Sequence, residues 1–484
     1  MTLGPQDLWR IPHILDRICD FLSMQDIDAC RRVSKAWLQL FSPQSYRSLQ
    51  HGIQVPAKLY SPETRQRLLE NTFRVRTLRI GFGELEPLYG SQCIFVRDLY
   101  LVDNIKEIPT EFEPTSNAFC LIAANPGLKS LTLEFDKGIG VSQYMNNSIF
   151  WLLSQHPSLE QFQIVSDENL EQFFLYIMEA LPRSLQVFRL RWDHYYFLGT
   201  PEPLDFPLLE NLRCLEFFGP LQVDQEVDRI LIPFLEKSPN LVEIVLPDVL
   251  SYPIVEPMLR CCPKLEAIDY SQSCFDAQIV CSTLQGFRGL CRLYATIFTT
   301  ELQQAFETEV LQLSPNFGCY ESLESIRIQG IAPLQDMLTV LRHCPKLKEM
   351  SLTSLGASPD SMYGIGLKEL VEVSWSSPQL EVLQIPILNT TVTIPNRRGR
   401  LEASDIELED EETVRCIGKL IQQVRAMDRD CSLNLRWNVV EHGKSFSSTQ
   451  QYLDKAIESG TMPCPITVEG VQLIGVPWDI QATG

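Results

Sequence analysis

A short phrase recurs along the chain: an apolar anchor, two residues, an apolar residue, one residue, and another apolar residue. Leu128 leads to Leu131 and Leu133, Leu159 to Phe162 and Ile164, and Leu241 to Ile244 and Leu246. Leu265 leads to Ile268 and Tyr270, Leu347 to Met350 and Leu352, and Leu380 to Leu383 and Ile385. Each of these anchors stands two residues after a proline, and Pro182 similarly precedes Leu185, Phe188 and Leu190. Weaker copies start at Val75, Val96, Leu212, Leu290 and Leu323, which makes twelve anchors spaced by 21 to 33 residues. The alternation that ends the phrase predicts a short strand with one buried face. Helical patterns precede most anchors, as in Ile149–Leu153, Phe173–Ile177, Ile230–Leu235 and Met337–Leu341. Proline then ends the helix, because the residue before it disfavours the α region. A helix-stop-strand unit cannot bury its apolar faces alone, whereas a stack of such units can.

A period averaging about 28 residues with an L-x-x-L-x-L core resembles the leucine-rich-repeat family. A doubly wound α/β sheet also alternates helix and strand, but its ligand-binding turns are rich in glycine, and these turns are rich in proline. The resemblance is incomplete. The family usually carries Asn or Cys three residues after the last strand apolar, and only Asn104 meets that pattern. Asp136, Asp167 and Asp193 stand there in three repeats, and apolar or small residues such as Val249, Phe298, Ile331 and Leu388 in the rest. The repeats are therefore expected to be degenerate and irregular.

Residues 8–49 do not follow the repeat. Pro12 suits a first helical turn, and Ile14, Ile18, Phe21 and Leu22 supply one apolar face. Ser23 and Asp26 fit the start of a second helix. Val33, Trp37 and Phe41, spaced by four, form a third apolar stripe. Three short helices over some 40 residues are near the lower limit of autonomous stability. Ile11-Pro12, Ile18, Leu22, Asp26-Ile27 and Val33-Ser34-Lys35-Ala36-Trp37, trailed by Tyr46-Arg-Ser-Leu49, resemble the F-box family. Ile replaces the usual Leu before the proline, and the usual acidic residue after it is missing. Together with the repeats, the arrangement resembles fungal-type F-box proteins with degenerate leucine-rich repeats. That resemblance implies docking on a Skp-type adaptor, and through it on a cullin, by Ile11, Pro12, Leu15, Ile18, Leu22, Val33 and Trp37. It also implies that the repeats bind a protein substrate for ubiquitin ligation. The alternative is a leucine-rich-repeat scaffold whose N-terminal helices only cap the stack.

The expected fold is therefore α/β: an F-box-like helical motif at 8–49, a linker helix at 50–72, a curved, irregular repeat solenoid at 73–440 and a C-terminal cap at 441–484. Within the solenoid, Arg397, Arg398 and Arg400 precede a run of acidic residues from Asp405 to Glu412, which predicts a solvated charged loop over about 389–412.

Charge narrows the partners. The 484 residues carry a formal net charge of −20. Binding a phosphate backbone needs clustered Lys and Arg, so nucleic acid and anionic membranes are not expected partners. The fifteen cysteines include no C-x-x-C pair, so no zinc or redox site is expected, and free Cys inside apolar repeats suits a reducing compartment. Neither a secretory leader nor an apolar run long enough to span a bilayer is apparent, so the protein is expected in the cytoplasm, the nucleus or both. No catalytic constellation emerges. Gly443-Lys444-Ser445 has Asn438 where a P-loop needs glycine, and the six histidines are far apart. A non-enzymatic protein without cofactor or metal is expected.

Positions between the buried strand residues face outward, and in curved repeats that face is the usual binding surface. They include Arg79, Tyr100, Gln163, Arg189, Arg191, Glu216, Phe218, Arg327 and Gln384. Tyr100, Arg189, Arg191, Trp192, Phe218 and Arg327 are the candidate substrate contacts, since aromatics and Arg dominate interface energetics. Arg189 and Arg191 would suit an acidic or phosphorylated segment.

Overall fold

The computed structural model describes residues 15, 18–19, 21–22, 24–42, 44, 48–51, 66, 74–81, 95–102, 121–135, 152–166, 177–192, 206–221, 230–246, 248–249, 254–275, 277–297, 317–330, 334–353, 367–380, 382–387, 390–394, 400–404, 416, 419 and 432–435. It divides into two compact units, Met1–Pro247 and Asp248–Gly484.

The first unit opens with helix. Leu15 and Ile18–Cys19 are helical and are followed by α1 (Met24–Val33) and α2 (Lys35–Phe41). Ser34 separates α1 from α2 because its hydroxyl caps the second helix, accepting a hydrogen bond from the Trp37 amide at 3.2 Å. Leu15, Cys19, Ile27 and Phe41 form a small core, with Leu22, Cys30, Trp37 and Leu40 packed around it.

A parallel sheet follows in the order β1 (Ser48–His51), β2 (Thr77–Gly81), β3 (Asp98–Val102), β4 (Ser130–Phe135), β5 (Gln161–Ser166), β6 (Val187–Trp192), β7 (Cys214–Phe218) and β9 (Glu243–Val245), with the two-residue β8 (Pro220–Leu221) between the last two in sequence. The sheet thus begins at Ser48, inside the N-terminal region and ahead of the first anchor, and Gln50 and His51 are strand where a linker helix was expected.

In the second unit, β10 (Asp248–Val249) precedes a sheet of β11 (Ala267–Phe275), β12 (Arg292–Ile297), β13 (Ser325–Gly330), β14 (Glu349–Thr353) and β15 (Val382–Ile387), all parallel. Its helices are α4 (Val255–Cys261), α5 (Ala277–Gly286), α6 (Leu334–His343) and α7 (Leu367–Glu372). The first unit's counterpart is α3 (Ile232–Glu236). Then the pattern changes: β16 (Thr390–Ile394) and β17 (Arg400–Ser404) add antiparallel, and β18 (Ser432–Leu435) adds parallel to β17. Both antiparallel strands fall in the stretch read as a solvated loop. The Arg397–Arg400 charges masked a β-branched run, Thr390-Thr-Val-Thr-Ile394, which suits a strand. Residues 405–412 and the expected cap at 441–484 lie outside the described residues.

All twelve anchors from Val75 to Leu380 are buried, and each stands just before a strand. The proline does more than stop a helix. In five repeats it is the second residue of a turn closed onto the anchor, as in Leu128 N–H to Asn125 O at 3.0 Å and Leu159 N–H to His156 O at 3.1 Å. The fixed φ of proline suits that position. After most turns a single carbonyl accepts two amides from the next repeat: Arg97 O takes Lys129 and Ser130 (2.7 and 2.9 Å), and Glu160 O takes Gln186 and Val187 (2.7 and 3.0 Å). This spine sets the register at the start of each strand pair; the first unit's stack keeps one register from β1 to β9, whereas in the second unit the β11–β12 pairing shifts between Tyr270 and Cys274.

The residue before the turn proline forms a second buried row. Asn125, His156, Ser238, Cys262, Cys344 and Ser377 are all buried there. Asn125 accepts from the Val96 amide of the preceding repeat and donates to the Leu121 carbonyl, both at 2.7 Å. Ser377 donates to Leu347 O at 2.6 Å. Asn125 and Ser377 thus each clip a repeat to the one before it, whereas Ser238 bonds within its own repeat, donating to Phe234 O at 2.9 Å. Asn104 and the aspartates expected after the strand lie outside the described residues.

Large aromatics fill the first unit's core. Phe188 packs against Phe162, Phe217 and Phe234 with centroids 5.9 to 6.1 Å apart. These are the phrase positions of β5 to β7 together with a residue of α3.

Candidate functional site

The outward face of the strands is the first candidate. In the first unit the register aligns Arg79, Tyr100, Thr132, Gln163, Arg189 and Glu216 across six adjacent strands. Adjacent strands are about 4.8 Å apart, so these side chains interact laterally. The Arg79 guanidinium lies 4.2 Å over the Tyr100 ring. The Tyr100 hydroxyl donates to the Glu134 carboxylate. Burial, followed by that bond and the charge of Glu134, pushes the Tyr100 hydroxyl up to about 12 against the opposing effect of Arg79. Tyr100 is thus a neutral donor at any physiological pH.

Arg189 Nε pairs with Glu216 Oε1 at 2.7 Å. The positive spot expected from the sequence at Arg189 and Arg191 is accordingly balanced in part by a carboxylate on the neighbouring strand. Arg191 stands in register with Phe218, so Arg189, Arg191 and Phe218 are gathered on β6 and β7. Tyr100 is three strands away, roughly 14 Å at the usual spacing. The backbone of Trp192 ends β6, and its side chain lies outside the described residues. Between Tyr100 and Arg189 the face dips. Ser130, Thr132, Gln161, Gln163, Val187 and Arg189 line a shallow dip together with Leu131 and Phe162. Small polar residues carry no sequence signal of their own; the dip exists because they stand between longer side chains.

Arg327 belongs to the second unit. Its guanidinium grips Glu349 through two hydrogen bonds (2.6 and 3.0 Å) and lies 5.1 Å from the Tyr294 ring centroid. The two-pronged geometry and the ring hold the side chain in one orientation. The side chain of Gln384 lies outside the described residues.

The second candidate is the N-terminal helical motif. Leu15 is buried in the motif's own core, Leu22 and Trp37 are half-buried against it, and Ile18 is half-buried. The Trp37 ring stacks on Phe41 at 5.3 Å. Val33, by contrast, is 64% exposed, as are Leu38 (44%) and Phe21 (88%). Ile11 and Pro12 lie outside the described residues. The motif therefore spends Leu15 and most of Trp37 on itself and turns Val33, Leu38 and Phe21 outward. Helical spacing cannot distinguish these two uses of an apolar residue.

Among the described residues no group of three His, Cys, Asp or Glu side chains could hold a metal ion, and no helix is long and apolar enough to cross a membrane.

No protein-family model matches the chain, and no curated protein matches it. Similar solved structures exist. An internalin from Listeria monocytogenes is 12% identical, with 60% of this chain and 78% of that one covered, at a TM-score of 0.30. TLR13, solved in complex with single-stranded RNA, is 15% identical over 60% of this chain and 48% of its own, at 0.28. Toll from Drosophila, solved with Spatzle, is 11% identical over 65% and 51%, at 0.28. The chain thus spans about half the length of the TLR13 and Toll chains it matches. At these scores nothing about partners follows from the likeness; the buried anchors, proline turns and parallel pairing carry the conclusion that each unit is built of leucine-rich-type repeats, with a short helical motif ahead of them in sequence.

Proposed function

We propose that the chain is the substrate-recognition subunit of a Skp-cullin-F-box-type ubiquitin ligase. The N-terminal helices dock on the Skp adaptor, and the outward strand face binds a protein substrate. The protein is an interaction subunit without catalytic chemistry of its own, acting in the cytoplasm, the nucleus or both. The observation that carries this reading is the apolar surface of the helical motif. Val33, Leu38 and Phe21 are exposed on a motif whose own core is four residues deep. Large apolar side chains left in water on so small an element suit a partner surface. The strand face contributes the substrate contacts, with Arg189, Arg191, Trp192 and Phe218 as one cluster and Tyr100 and Arg327 as further contacts.

The test is co-purification of the full chain with a Skp adaptor. Val33→Glu and Leu38→Glu, which alter exposed positions, should abolish capture while leaving the helical circular dichroism unchanged. Trp37→Ala is the poorer probe, because it also removes core packing against Phe41. Wild-type chain that captures no adaptor would refute the ligase reading and leave the repeat stack as a free-standing scaffold.

A further inference from the structure

We infer that the first strands of the repeat stack carry an anion-binding strip that takes a short acidic peptide segment. Arg76, Arg97 and Lys129 occupy equivalent positions, one residue after three successive anchors. Backbone bonds place them side by side: Arg97 N–H donates to Arg76 O, and Lys129 N–H to Arg97 O, both at 2.7 Å. Three cations therefore stand side by side, each on the residue just before its strand, with the strands that follow about 4.8 Å apart. Arg97 is exposed, and Arg76 and Lys129 are half-exposed. Like charges side by side on a sheet are unfavourable. They recur here on a chain whose net charge is −20, where chance would favour carboxylates.

The neighbouring carboxylates define the limits of the strip. Asp98 accepts from the Thr77 hydroxyl at 3.2 Å, and Glu160 pairs with Lys129 at 2.7 Å. Glu160 itself occupies the next position of the row, so the cationic run ends after three positions. The ligand is consequently short. A segment presenting two or three carboxylates matches the strip, whereas a nucleic acid strand continuing past Lys129 would meet Glu160 and the acidic remainder of the chain. Phe95, 52% exposed with the Arg76 guanidinium 5.3 Å from its ring centroid, offers an apolar contact at the same edge. An acidic segment that also carries an apolar residue is thus the class of partner this surface fits.

The inference deepens the reading of the strand face as the substrate surface and rests on it, but not on the adaptor. The experiment is fluorescence anisotropy on the full chain with four labelled probes: an Asp/Glu-rich decapeptide containing one Leu, its Asn/Gln counterpart, a singly phosphorylated Ser counterpart and a single-stranded oligonucleotide of equal charge. The acidic decapeptide should bind, weaken as salt is raised, and exceed the neutral peptide and the oligonucleotide at least tenfold. Arg97→Glu should lower its affinity at least tenfold, and Arg97→Gln should lower it by less. Arg213→Glu, in the same row beyond Glu160, should leave it within twofold. Equal losses in Arg97→Glu and Arg213→Glu, absence of binding by folded wild type, or preference for the phosphopeptide or oligonucleotide would each overturn the assignment. Because the Val33 and Leu38 surface takes no part in this assay, loss of adaptor capture with intact peptide binding would count against the ligase reading alone.

Discussion

Asn125→Ala tests the claim that polar residues before the turn hold successive repeats together. The wild-type side chain is fully buried, accepts the Val96 amide and donates to the Leu121 carbonyl. Alanine leaves a buried donor without an acceptor, which costs about 1–3 kcal/mol, and the half-buried carbonyl adds a smaller amount. A total of about 2–4 kcal/mol is expected, against well under 1 kcal/mol for Asn240→Ala, whose donated bond to Glu210 O lies at the surface. Urea denaturation followed by circular dichroism gives the global loss. Amide hydrogen exchange gives the local one, since the Val96 amide should lose protection while amides of β6 keep theirs. Asn125→Asp keeps an acceptor for Val96 but removes the donor and buries a charge, so it should rescue little. A midpoint unchanged in Asn125→Ala, with Val96 still protected, would refute the clip and leave the spine of backbone bonds as the sole link between those repeats.

Other outcomes follow from single positions. Gly330 has φ of +104°, and a Cβ there would lie 1.8 Å from Ile297 O, so Gly330→Ala should cost more than the ~1–3 kcal/mol of the conformation alone, read by urea denaturation. Burial pushes the Cys262 and Cys344 thiols up to about 12, so in native protein at pH 8 both should resist a disulfide reagent that labels them in denaturant; rapid native labelling would contradict their burial. Burial lowers the pKa of His156 below its ordinary 6.5, with a smaller opposing effect from the Ile122 backbone. The imidazole is then neutral in the fold, while the unfolded chain takes up a proton as pH falls below about 6.5. Its contribution to stability is complete above that pH and lost below it. His156→Leu should therefore show a smaller drop in urea midpoint from pH 7.5 to pH 5 than wild type; an identical drop would refute this.

The exposed motif and the strand face differ in how far they were legible. Trp37 and Val33 stand on one helical stripe and look equivalent in sequence. The fold buries most of Trp37 against Phe41 and leaves Val33 in water, because the two residues belong to different helices divided by the Ser34 cap. Arg189 and Arg191 read as a pair of cations, yet Glu216 reaches Arg189 from 27 residues away through the register of β6 and β7. Arg76, Arg97 and Lys129 do not form a group in the sequence for the same reason: each follows an anchor, but only the pairing of successive repeats makes them neighbours.

By itself the sequence determined the local units. Anchors, alternating strand positions and prolines act over a few residues, and each has a physical consequence that needs no distant partner: an apolar side chain to bury, a pleat of period two, a fixed φ. Tertiary structure decided which residues meet. The carbonyl spine sets the register between repeats of unequal length, and lateral chemistry follows from register. It places Arg76, Arg97 and Lys129 in a row just ahead of β2 to β4, the polar residues of β4 and β5 side by side on one face, and Asn125 and Ser377 in the seam where one repeat meets the next.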